Sequence, residues 1–116
     1  MFLDKELREA IKPQRNEIVD LLRSKGLECT PIGDTEIGLI SEFTKHFYYA
    51  VTLETYYDGS WVVTEVEEES SSPYYNSHDL KLHYTESTAE DVVNALISKV
   101  NELNTFPSRV QEKFNK

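Results

Sequence analysis

With 116 residues, 39% of them hydrophobic and 28% charged, the chain has the size and composition of one globular domain, long enough to bury a core without metal or disulfide staples. Twelve lysines and arginines against 21 aspartates and glutamates leave a net charge of −9, which argues against nucleic acid or an anionic membrane as a direct partner, because phosphates are bound by clustered cations. The lone Cys29 cannot form an internal disulfide, the opening Met1-Phe2-Leu3-Asp4-Lys5-Glu6 turns polar too soon for a secretory leader, and no apolar run approaches the ~20 residues that span a bilayer, so a cytoplasmic protein is expected.

Leu3, Leu7, Ala10 and Ile11 recur at helical spacing, and Ile18, Leu21 and Leu22 continue the stripe. Pro13 falls inside it and removes one amide donor, so the pattern predicts either one kinked helix or two abutting ones. Arg23 and Lys25 suit a last helical turn, and Gly26 suits the left-handed position after it, with Leu27 packing back. Beyond a loop containing Pro31, Gly33 and Asp34 the period changes to two. Ile37, Leu39, Ser41 and Phe43 share one face of a first strand, where Gly38 is a natural place for a bulge.

The segments FYYAVTLETYY and SWVVTEVEEE, joined at Asp58-Gly59, read as the second and third strands. Asp-Gly is the signature of a two-residue type I′ turn. That turn sets Tyr57 against Ser60, Tyr56 against Trp61 and Val51 against Val66. Alternation then sends Tyr49, Val51, Leu53, Val62, Thr64 and Val66 to the core. The opposite face receives Tyr48, Glu54, Tyr56, Trp61, Val63, Glu65 and Glu67, while Glu68 points the other way.

Ser70 to Asp79 reads as a long polar loop carrying Tyr74 and Tyr75. Leu80, Leu82 and Tyr84 alternate with Lys81 and His83 as a fourth strand. Ser87-x-x-Glu90 has the form of a capping box, and Ala89, Val92, Val93, Leu96, Val100 and Leu103 follow it as one apolar stripe. Phe106-Pro107 ends that helix, and Val110 with Phe114 suggests a short final one. The order α-β-β-β-β-α-α predicts a single α+β domain, a four-stranded antiparallel meander with its helices on one face.

The residues that usually carry chemistry form no recognisable constellation. His46, His78 and His83 accompany no His-Glu-x-x-His, Cys-x-x-Cys or Asp-x-Asp spacing, and read as surface histidines. Ser70, Ser71 and Ser72 lie in no nucleophile elbow, and Cys29 has no local motif. Four glycines in no phosphate-cradling pattern exclude a P-loop or dinucleotide turn. No metal or cofactor is expected, and the chain is expected not to be an enzyme.

Every aromatic residue except Phe2 follows position 42. Tyr and Trp are strand formers and core residues, but they also dominate binding hot spots. Alternate residues on a strand lie roughly 6.6–6.8 Å apart, so a row of glutamates could imitate a phosphate backbone, although acidic strand ends are more often plain solvated faces. The expectation is therefore a small acidic binding protein that neutralises a basic partner, such as a nucleic-acid-binding enzyme, in the manner of a phage inhibitor of a host nuclease or an immunity protein against a nuclease toxin. Its expected protein-binding residues are Tyr48, Glu54, Tyr56, Trp61, Glu65, Glu67, Tyr74 and Tyr75. A dimeric chaperone or adaptor for a secreted protein is the alternative, since the apolar helix faces suit a monomer or a homodimer equally. A small enzyme using His83, Tyr84 or His46 with a glutamate ranks third.

Overall fold

The computed structural model describes residues 4–69 and 72–102, and of residues 72–74 the backbone only. The helical stripe near the start forms one helix, α1 (Lys5–Ser24), which runs unbroken through Pro13. Asp4 caps its start by accepting the Leu7 amide at 2.8 Å. At its end Leu27 N–H bonds Leu22 O and Gly26 N–H bonds Arg23 O, with Gly26 at φ +81°, so the expected left-handed stop is present and Leu27 is buried over it.

Five strands follow: β1 (Thr30–Ile32), β2 (Glu36–Thr44), β3 (Phe47–Thr55), β4 (Ser60–Glu69) and β5 (Ser72–His83), and α2 (Ala89–Glu102) comes last. They form an antiparallel sheet in chain order. The α+β class is as the sequence implied, but the sheet has five strands where four were expected. One addition is the short β1. The other change is larger: the polar run from Ser72 to Asp79 is no loop but the first two-thirds of β5, paired residue by residue with β4 from Glu69↔Ser72 to Val62↔Asp79. The run shows no period-two pattern because polar residues lie on both faces: Tyr75, Ser77 and Asp79 turn away from the helices, and Asn76 and His78 lie on the helix side. The expected final helix at Val110 and Phe114, and Leu103, lie outside the described residues.

Both helices contribute to one core, with Tyr49, Val51 and Leu53 from β3 and Trp61 and Val63 from β4. They pack on each other, α1 over β1 and β2 and α2 over β5. Two polar side chains of α1 tie the layers together. Arg15, only 4% exposed within the apolar stripe, donates from Nη1 to the carbonyls of Ile32, Gly33 and Glu36 and so holds the β1–β2 turn against the helix. Gln14 donates to the carbonyls of Tyr84 and Ser87 while its Oε1 accepts Trp61 Nε1–H at 2.7 Å. The capping box of α2 sits one residue later than expected. Thr88 and Asp91 exchange the two bonds, and Ser87 instead donates to His83 O.

Candidate functional site

The β3–β4 register decides where every candidate residue points. Thr55 faces Trp61, Leu53 faces Val63 and Val51 faces Glu65, one residue away from the expected pairing. The turn explains the slip. Tyr56 N–H bonds Ser60 O, so the connection is the three residues Tyr57, Asp58 and Gly59. Only Gly59 has positive φ (+92°), and Asp58 does not, whereas a type I′ turn needs both. This is the pattern of a type I turn closed by a glycine bulge, and Asp58 Oδ1 reinforces it by accepting Ser60 N–H at 2.9 Å. That bond holds the Asp58 carboxyl below its ordinary pKa.

A one-residue slip moves a whole strand's side chains to the opposite face. Trp61, Val63, Glu65 and Glu67 therefore turn toward the helix side, and Val62, Thr64 and Val66 away from it. Trp61 is fully buried and Glu65 is 4% exposed. The expected exposed face of Trp61, Glu65 and Glu67 beside Tyr48, Glu54 and Tyr56 does not exist as one surface. Tyr48 and Glu54, half-buried, stay on the side of the sheet that carries no helix among the described residues (the helix-free side in that sense), joined by Tyr75, which is paired opposite Val66. Tyr56 lies at the hairpin end, and Glu67 is exposed at the far end of β4 on the helix side. Of Tyr74 only the backbone, paired with Glu67, lies within the described residues.

The helix-free face is graded along the strands. At one end lie Phe43, 76% exposed, and Tyr75, 66% exposed. Tyr48 packs against Phe43 with ring centroids 4.5 Å apart. The sequence pattern grouped Phe43 with Ile37. A bulge between Gly38 and Ile40 resets the alternation, so Ile37 and Ile40 face the core while Phe43 does not.

At the other end a polar chain crosses four strands. Thr64 Oγ1 donates to Glu54 Oε1 at 2.9 Å, which leaves the Ser77 hydroxyl, 3.2 Å from Thr64 Oγ1, to donate to it. Glu36 lies on the other side of Glu54, and burial together with the neighbouring Glu54 carboxyl pushes its pKa up. A carboxyl with a raised folded pKa favours the fold below its unfolded pKa and gives up that advantage as pH rises through the folded value. Glu36→Gln is therefore expected to melt higher than the wild type at neutral pH. The gain should be about half a kcal/mol for a partly exposed like-charge pair, closing as pH falls through the carboxylate range.

On the helix side, Glu65 accepts Tyr49 Oη–H and meets His78 Nε2, both at 2.8 Å. This trio, with Tyr49 and Glu65 buried and His78 half-buried, binds β3, β4 and β5 together, and the pairing of His78 was not visible while its segment read as a loop. His83 is also engaged in structure. Its Nε2–H donates to Asp58 O at 2.6 Å, and its Nδ1 accepts from Thr85, so it clamps the β3–β4 turn to the end of β5. Cys29 is buried, with its thiol pushed up by that burial and set 3.8 Å from Val19 O. Among the described residues no group of three His, Cys, Asp or Glu is placed to hold a metal ion, and no helix is long and apolar enough to cross a membrane.

Two clefts open near the sheet edge. One, of about 480 Å³, is lined by Arg8, Glu36, Glu54, Thr55, Tyr56 and Tyr57 among others. The larger, of about 790 Å³, lies between the end of α1 and the outer edge of β2. Compared with known protein families, curated proteins and solved structures, the chain matches none.

Proposed function

We propose that this protein is a small acidic binding protein that holds a basic partner on its helix-free sheet face and blocks it, without chemistry of its own. The observation that carries the reading is the exposure of Phe43 and Tyr75, 76% and 66%, on the same face as Glu54 and the half-buried Tyr48. Aromatic anchors on a face that also carries a carboxylate suit a cationic protein surface, since the rings supply contact area and cation–π attraction while the acidic charge supplies steering. The face that serves this reading differs from the one expected from sequence. Glu54, Tyr48 and Tyr75 are retained, Phe43 is added, and Trp61 and Glu65 are core.

The net charge of −9 favours a partner whose own surface is strongly basic, such as a nucleic-acid-binding enzyme. Inhibition of a host nuclease by a phage protein, or neutralisation of a nuclease toxin by an immunity protein, are activities of that kind. Affinity purification from the source cells, followed by reconstitution with the purified partner, tests the reading. The partner is expected to be basic, the complex to weaken as salt rises, and the double variant Phe43→Ser/Tyr75→Ser to bind at least about tenfold more weakly. An acidic partner, or unchanged affinity of the double variant, overturns it.

A further inference from the structure

β1 covers β2 only from Glu36 to Gly38, through the pairs Ile32↔Glu36, Pro31↔Ile37 and Thr30↔Gly38. From Leu39 to Thr44 the outer edge of β2 faces no described strand. In an antiparallel pair the inward hydrogen bonds alternate, and the pair flanking a two-residue turn bonds inward. Thr44↔Phe47 is that pair around Lys45-His46, so Glu42 also bonds inward, and Ser41 and Phe43 turn their N–H and C=O groups outward. Unpaired strand edges are the sites at which extended segments add to sheets. Natural sheets cover or blunt such edges, and this one carries no proline and a single charged residue, Glu42, between Leu39 and Thr44.

The space beside this edge is already formed. The groove of about 790 Å³ is in line with β1, with Leu27, Ile32, Leu39 and Ile40 in its walls and Ser41 at its far end. Ser41, Phe43 and Thr44 are exposed, as an uncovered edge requires. Of the two charged residues in the groove wall, Arg23 is turned to the carbonyl of Cys29, to which its Nη2 donates at 3.2 Å, and Glu28 is exposed. With −9 on the molecule as a whole, the field at the groove favours a cationic segment.

We propose that the outer edge of β2 from Leu39 to Thr44 is a strand acceptor, taking an extended, basic segment of a partner polypeptide as an added sixth strand in line with β1. Main-chain bonds from Ser41 and Phe43 supply the affinity, and the apolar groove wall accommodates alternate side chains of the segment. This rests on the reading that the partner is basic, but not on the helix-free face being its landing surface.

The test uses the full-length, isotope-labelled protein and two synthetic probes, the basic peptide acetyl-KVKVTVKV-amide and its acidic counterpart with glutamate in place of lysine. The basic peptide is expected to shift amide resonances from Leu39 to Thr44 and to slow amide exchange at Ser41 and Phe43 by at least about tenfold. Ser41→Pro removes only an outward N–H, as proline on an edge can, and should abolish these effects while keeping the wild-type far-UV spectrum. Leu39→Lys, which intrudes on the groove, should do the same, and Tyr75→Ser should leave them intact. Shifts confined to the helix-free face, or no response to the basic peptide at millimolar concentration, overturn the proposal. Slowing of Ser41 exchange by protein concentration alone also overturns it, because the edge would then be closed by a second copy. Equal binding of the acidic peptide would retain the edge but defeat the basic-partner reading, so the two failures are distinguishable.

Discussion

Trp61→Ala is expected to cost about 3–5 kcal/mol, the range for removing a fully buried aromatic side chain, which is a large share of the stability of a domain this size. Trp61 is 0% exposed and belongs to the core that also holds Val63, Leu53 and apolar residues of both helices. Its Nε1–H is also the donor that satisfies Gln14 Oε1, so truncation opens a cavity and releases a polar atom together. Chemical denaturation followed by circular dichroism measures the loss. Because Trp61 is the only tryptophan, wild-type fluorescence provides a second probe, and its emission should be blue-shifted in the native state and move red on unfolding. A stability within about 1 kcal/mol of wild type would show that the residue is not in the core. Any loss of partner binding in this variant would follow from unfolding and would say nothing about an interface.

Gly59→Ala is the second large effect, at about 2–4 kcal/mol. Two independent costs combine there. A φ of +92° is one that L-residues rarely adopt, and an added Cβ would lie 2.6 Å from Tyr84 Cδ1 and 3.0 Å from His83 Nε2. The ring of Tyr84 must move, and with it the bonds by which Gly59 O accepts Tyr84 N–H and Asp58 O accepts His83 Nε2–H. Thermal melts of Gly59→Ala beside Asp58→Ala separate the effects, since Asp58→Ala loses only the exposed carboxylate bond to Ser60 N–H and should lower the melting temperature less than Gly59→Ala does. Equal melting of the two variants would mean that the turn tolerates a side chain at Gly59.

The same turn marks the limit of what the sequence made legible. Asp-Gly between two strands correctly located the hairpin, but two turn geometries use that dipeptide, and they differ by one residue in register. Nothing local distinguishes them. The choice is made by Tyr84 and His83, 25 residues away, which grip Gly59 and the Asp58 carbonyl. That single residue of register put Trp61 in the core and Glu65 beside Tyr49 and His78. Glu36 was missed as a neighbour of Glu54 because a bulge at Gly38, foreseen as a weak spot, also changed which side Phe43 faces. Where the signal was local the reading held: the Gly26 stop with Leu27 folded over it, the α1 stripe at Leu7, Ile11, Ile18, Leu21 and Leu22 although Ala10 is exposed, and the α2 stripe from Ala89 to Val100. Arg15 escaped notice because an arginine in an apolar stripe shows its purpose only when three turn carbonyls meet it.

The strand order β1-β2-β3-β4-β5 means that each strand pairs with its immediate predecessor in the chain. Loop closure between neighbours costs little entropy, so the sheet can lengthen one hairpin at a time as the polypeptide emerges, without waiting for a remote segment. Gln14 is the exception. Its partners are 47, 70 and 73 residues downstream, and the layer it secures cannot close until the segment between β5 and α2 has been made. Until then the apolar side of the growing sheet is without α2, the helix that lies over β5 in the finished fold. The nascent chain is therefore most vulnerable to self-association late in synthesis, with its hairpins complete and its second helix still to come.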